Sequence, residues 1–325
     1  MIITQTPLRI SFVGGGTDLP DFYTNYGGAV ISTAINKYVF VIVKERFDDK
    51  IYLNWMKKEI VESVDQIEHE LIREAMKKTQ VLKGVEITTL SDIPAEGSGL
   101  GSSSSITVGL LQAMYLYKGM PVDPERLAKE ASEIEIDILG KPIGKQDQYI
   151  ASYGGLRHFT FHQNNNVSIT QPKIEQALID KLGANLLLFF TGKTRKSSEV
   201  LTEQKQKIVD TAAILRQMRD QSYEVLSALE NGNIDFLGEA LDRGWELKKQ
   251  LAGRISSPEI DNMYKLAKKA GALGGKIAGA GGGGFMLLYV PLEAQNNVRK
   301  ALSEYREMHF GFEKDGSKSI FNIRR

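Results

Sequence analysis

The chain has 325 residues, 42% hydrophobic and 25% charged, which suffices for a substantial core in two domains or one large one. Its 41 Lys and Arg against 40 Asp and Glu give no global field for nucleic acid, and with no cysteine it has neither disulfides nor thiol chemistry. The runs LGANLLLFF and GFMLLYV are too short to span a bilayer and the start lacks a signal-peptide core. A soluble cytoplasmic protein is expected, with no nucleic-acid or membrane partner.

In chain order, IITQTPLRISF and AVISTAINKYVFVIVKERF are rich in β-branched residues and predict strands, with Pro7, the glycines and DLPD marking turns. IYLNW predicts a short strand. SVDQIEHELIREAMKKT carries Ile67, Leu71, Ala75 and Met76 on a helical stripe, and GVEITTLSDI predicts the next strand. SSSITVGLLQAMYLYKG reads as a helix stopped by Gly119 and Pro121, followed by a helix over DPERLAKEASEIEIDILG with Asp123 as its cap. Strand signals return in ASYGGLRHFTF and NVSITQP. A boundary near 165–178 divides the chain into domains 1–170 and 171–325. Beyond it, helices are predicted at about 196–229, 234–250 and 258–271, then AGAGGGGFMLLYV and a helix near 292–305. The mixture indicates an α+β architecture.

The stretch EGSGLGSSSS, residues 96–105, admits three readings: a flexible linker, a serine nucleophile, or a phosphate cradle. The cradle has the most direct mechanism, since glycines allow close backbone approach and the following helix offers its N-terminal amides to an anion. Two familiar nucleotide motifs fail. VGGGTD lacks the spaced glycines of a dinucleotide fingerprint, and Gly192-Lys193-Thr194 lacks the glycine that a P-loop needs at position 187. Glu133, Glu135 and Asp137 are candidate carboxylates or a solvated helix face. The turn containing Gly140, Pro142 and Gly144 can deliver Asp147 into a cleft. His158 and His162 have the spacing of a metal pair on a helix, but their surroundings read as a strand entering a turn.

Taken together, PLRISFVGGGTDLP (7–20), PAEGSGLGSSSS (94–105), EIDILGKPIGKQDQY (135–149) and GGKIAGAGGGGFMLLY (274–289) resemble the GHMP small-molecule kinases. The resemblance implies a ribosomal protein S5 domain 2-like N-terminal domain that binds ATP, a ferredoxin-like C-terminal domain, and an active site between them. It implies a nucleotide phosphate loop of Gly97, Gly99, Leu100, Gly101, Ser102, Ser103 and Ser104. Ser103 and Glu135 would hold Mg²⁺, Asp147 would orient or deprotonate the acceptor hydroxyl, and Arg9 would stabilise developing charge. GKQD has one residue more between glycine and aspartate than the commoner form. The glycines at 279–284 either touch ATP or let the C-terminal turn pack on the phosphate loop.

Thr17 and Asp18 are placed on the acceptor side, where a carboxylate can accept sugar hydroxyls. The start PLRISFVGGGTDLPDF with GKPIGKQDQY resembles the branch that phosphorylates the anomeric hydroxyl of D-glycero-D-manno-heptose 7-phosphate. A fucokinase-like or other sugar 1-kinase, and a non-catalytic nucleotide- or sugar-responsive protein, are the alternatives. Lys193 and Arg195, in TGKTRKSS, are candidates for a distal phosphate contact or a solvated basic turn. Homo-oligomerisation is left open.

Overall fold

The computed structural model describes residues 1–93, 97–194 and 197–323. The chain begins with two long antiparallel strands, β1 (Ile2–Val13) and β2 (Gly28–Glu45), joined through a glycine turn and helix α1 (Pro20–Tyr26). Pro7, expected in a turn, lies inside β1. It has no N–H for the ladder, and the register slips beside it, Pro7 facing Tyr38 while Leu8 faces Ile35. There follow β3 (Ile51–Asn54), β4 (Lys58–Val61), α2 (Glu70–Thr79), β5 (Val85–Ser91), α3 (Ser102–Tyr117), α4 (Pro124–Ser132), α5 (Gln146–Tyr153), β6 (Leu156–Phe161) and β7 (Val167–Thr170). The single helix expected from Asp123 changes character at Glu133, where Glu133–Ile138 winds as a π-helix and the Leu139 N–H reaches Ile134 O. ASY, expected to begin a strand, ends α5 instead.

The second half comprises α6 (Gln176–Ala184), β8 (Leu186–Phe190), α7 (Ser197–Gln206), α8 (Ala212–Glu230), α9 (Phe236–Lys249), α10 (Pro258–Lys269), β9 (Gly274–Ile277), β10 (Phe285–Tyr289), α11 (Gln295–Ala301) and β11 (Lys318–Asn322). The helix predicted over 196–229 is two, α7 and α8, separated by turns at 207–211.

Two sheets result, in a two-domain α+β arrangement. The first runs β11-β1-β2-β5-β3-β4, with β6 on β2 and β7 on β6. The second is antiparallel, β8-β10-β9, and its β8 edge is extended by backbone bonds from Phe190 N to Arg306 O and from Met308 N to Leu188 O, each 2.8 Å. Strand β11 pairs with β1, so residues 318–322 belong to the first sheet although they lie within the range 171–325 expected for the second domain.

Packing explains the long buried runs of β1 and β2. Both meet α3 and α5 of the first domain and α8 of the second, and β1 also meets α9. Helix α3 is apolar nearly all round, with Val108, Leu110, Leu111, Ala113 and Met114 fully buried. That anchors its N-terminal end beside β1.

Candidate active site

The glycine-serine turn leads straight into α3. Gly101, at φ +80°, is the N-cap, and the first backbone bond back to it comes from Ser105, 3.0 Å. The N–H groups of Ser102, Ser103 and Ser104 therefore have no acceptor within the helix, and the helix dipole reinforces them as an anion site. At Gly99, φ +75°, a Cβ would lie 2.3 Å from Ala278 O. This close approach shows the packing role of the glycine-rich segment 279–284, which sits against the turn and also lines the same cavity as Gly97, Gly99, Gly101 and the three serines.

The π-helix separates the three acidic candidates. Glu133 turns outward to Lys78 Nζ at 2.6 Å, and Asp137 is exposed, while Glu135 is fully buried. Its Oε2 accepts from Ser103 Oγ at 2.5 Å and its Oε1 from Gln148 Nε2 at 2.9 Å, with Lys141 Nζ 3.9 Å away. Burial raises its pKa against the opposing influence of Lys141 and the hydroxyl and amide donors. No group of three His, Cys, Asp or Glu among the described residues could hold a metal by itself. One carboxylate beside a hydroxyl nevertheless suits Mg²⁺, which takes few protein ligands when substrate phosphates complete its shell.

Asp147 enters on the first turn of α5. Arg9, on β1, grips it with both arms, Nε to Oδ1 at 2.7 Å and Nη2 to Oδ2 at 2.6 Å, while Nη1 donates to Gly99 O at 2.6 Å. The glycine-serine turn, the guanidinium and the carboxylate thus form one hydrogen-bonded unit. Asp18 is buried next to it and accepts from the N–H groups of Gly16 (3.0 Å) and Gln146 (3.2 Å). Desolvation, then the neighbouring Asp147 charge, raise its pKa. Gly144 is required there because a Cβ would fall 2.1 Å from Asp18 Oδ2.

Several expected contacts are not brought to the site. Thr17 is fully buried and its hydroxyl is consumed by Gly14 O, Ala29 O and the Ala29 N–H, so it fastens the glycine turn to β2. Lys193 is half-exposed in an ion pair with Glu259 at 3.1 Å and is absent from the cavity walls around Asp147. Arg195 lies outside the described residues. His158 contacts Ser222, and His162 contacts Ser168, so they do not form a pair.

Sequence reasoning missed the far wall of the cavity beside Asp18 and Asp147. It is formed by Ser11, by Gln204 of α7, by Lys248 of α9 and by Lys276 of β9. Lys276 Nζ donates to Ser11 O and Phe12 O, both 3.0 Å, and Lys248 Nζ donates to Gly279 O. Burial, ahead of the neighbouring positive charges, brings Lys276 down to about 7 and Lys248 well below the usual lysine value. A separate cavity of about 710 Å³ reaches Ser103 from the other side, with Trp55, His69, Leu71, Leu90 and Ile106 in its walls.

Comparison with known proteins shows the family. Residues 53–155 match the GHMP kinases N terminal domain and residues 225–307 match the GHMP kinases C terminal domain. The chain is 32% identical to D-glycero-alpha-D-manno-heptose 7-phosphate kinase of Campylobacter jejuni over 98% of both chains. It is 26% identical to galactokinase of Pyrococcus furiosus, over 94% of this chain and 93% of the other. The crystal structure of a D-glycero-D-manno-heptose 1-phosphate kinase from Bacteroides thetaiotaomicron superposes with a TM-score of 0.82 at 27% identity, covering both chains completely. No helix among the described residues is long and apolar enough to cross a membrane. The chain belongs to the GHMP kinases, and it is an ATP-dependent kinase of small molecules.

Proposed function

We propose that the protein transfers the γ-phosphoryl group of ATP to the anomeric hydroxyl of D-glycero-D-manno-heptose 7-phosphate, giving the 1,7-bisphosphate. The observation that carries this reading is the Arg9–Asp147 pair, bonded to Gly99 of the anion-ready turn and opening onto the polar cavity that holds Asp18. Among full-length relatives, the one named a heptose 7-phosphate kinase supports this acceptor, while the one named a heptose 1-phosphate kinase supports a heptose phosphate without supporting the anomeric position.

In this reading the cavity walled by Trp55, Leu71 and Ile106 receives the nucleotide base, because it is apolar and meets the turn at Ser103. The turn amides face the triphosphate. Ser103 and Glu135 would hold Mg²⁺, which when bound offsets phosphate charge. The acceptor hydroxyl donates its hydrogen to Asp147. As its oxygen bonds to the γ-phosphorus, the bond to the β-bridging oxygen breaks, ADP leaves, and the proton passes to the Asp147 carboxylate. Arg9 fixes that carboxylate and counters charge at the transfer point.

A coupled ADP-release assay with heptose 7-phosphate, fucose, galactose and mevalonate, followed by locating the new phosphate on the product, tests the assignment. The expected result is a preference for heptose 7-phosphate and modification at C1. A clear preference for fucose would replace the acceptor reading with the fucokinase-like one.

A further inference from the structure

The acceptor cavity contains more basic side chains than the transfer chemistry uses. Arg9 is matched by Asp147, but Lys248 and Lys276, both at least nine-tenths buried, have no ion pair among the described residues. Each meets two backbone carbonyls, and each, when protonated, has a third hydrogen to offer. Two further polar groups in the same wall are left unmatched: Gln204 Nε2 and Ser11 Oγ are buried with no hydrogen-bond partner among the described residues. Buried polar groups are ordinarily hydrogen-bonded, so a wall that presents these groups to a cavity suits an acceptor-rich occupant.

We infer that Lys248 and Lys276, with the Gln204 amide and the Ser11 hydroxyl, form a seat for a phosphate group carried by the acceptor. The inference rests on the sugar-kinase reading above and deepens it by assigning the acceptor's own charge to these residues. Position supports it. Ser11 is two residues beyond Arg9 on β1 with no register slip between them, so it lies on the same face about 6.6 Å further along. Lys276 is anchored at that point, through Ser11 O and Phe12 O. A pyranose ring with its side arm spans such a gap, placing C1 at Asp147 and a terminal phosphate at the lysines. A neutral sugar would bring the two lysines no negative charge beyond the partial compensation by Asp18. The two lysines are held below their usual pKa by burial, so a bound phosphate dianion draws protons onto them. Lys193, which is engaged with Glu259 on the surface, is not needed for this contact.

The test compares kcat/KM for heptose 7-phosphate with that for the same heptose lacking phosphate, in the wild type, Lys276→Met, Lys248→Met and Lys276→Arg. Loss of a charged hydrogen bond predicts that the ratio falls by about 10-fold or more in each Met variant, while Lys276→Arg retains most of it. A purely structural role lowers both acceptors together and leaves the ratio unchanged, which overturns the seat. If the wild type itself shows no preference for the phosphorylated sugar, the acceptor reading fails; if it does and both Met variants keep that preference, only the seat fails. Should the variants not fold, inorganic phosphate is titrated into the wild-type protein at about pH 8 by calorimetry in two buffers of different ionisation enthalpy. Proton uptake together with competition against heptose 7-phosphate and not against ATP supports the seat, and binding without either overturns it.

Discussion

Lys276 gives a stability test that needs no substrate. Its side chain is buried between Arg9 of β1, Lys248 of α9 and the partly compensating Asp18, and its pKa falls to about 7 from an ordinary 10.5. Between those values the unfolded chain binds a proton that the folded chain does not, so stability rises with pH. The cost of the buried charge is fully present below about pH 7 and disappears as pH climbs through the unfolded value. Applied to this lysine alone, linkage gives a gain of about 2 kcal/mol between pH 7 and pH 9. Lys248 is shifted in the same direction and adds to it. In Lys276→Met this component vanishes, and the remaining lysine loses a like charge beside it, so the variant's stability rises less steeply over the same interval. Urea denaturation at several pH values, followed through Trp245, measures the effect, because that fully buried indole lies on α9 three residues before Lys248. Parallel pH curves for wild type and variant would refute the electrostatic assignment.

Three further substitutions separate chemistry from scaffolding. Asp147→Ala removes the group proposed to meet the acceptor hydroxyl, and turnover is expected to fall by about 10²–10⁴-fold while ATP binding, measured by calorimetry, is retained; near-normal turnover would remove Asp147 from the mechanism. Glu135→Gln keeps the shape of a fully buried side chain bonded to Ser103 and Gln148 but removes its charge, so the Mg²⁺ concentration needed for half-maximal rate should rise, and an unchanged metal dependence would exclude the role. Thr17→Val should cost about 1–3 kcal/mol in urea denaturation through the lost bonds to Gly14 and Ala29, with acceptor preference unaltered; a change in that preference at full stability would restore Thr17 as a substrate contact.

What could be read in advance was local. The turn at 97–104 was legible because glycines before an apolar helix have few physical uses, and Glu135 and Asp147 could be tied to it only through the resemblance of four separate motifs. Thr17 misled because a polar residue after three glycines looks exposed, whereas the turn folds it inward onto β2. Pro7 looked like a turn because its missing N–H is tolerated inside a strand only where the register slips, and register is a property of the partner strand. β11 pairs with a strand more than three hundred residues away, and no pattern within its own five residues announces that.

The least legible residues are the buried lysines, and the reason is architectural. Lys248 stands in a charged helical run and Lys276 among glycines, where an ammonium is ordinarily solvated. Their burial arises only where the second domain closes on β1, and there they face Arg9, Asp18 and Asp147 of the first. Every group placed in the transfer chemistry comes from the first domain, whereas Gln204, Lys248 and Lys276 come from the second. Groups set in short motifs can be read from sequence, but groups brought together across the domain boundary appear only in the folded chain. On that division, substitutions at Lys248 and Lys276 should change which acceptor is used, and substitutions at Asp147 should change whether any is.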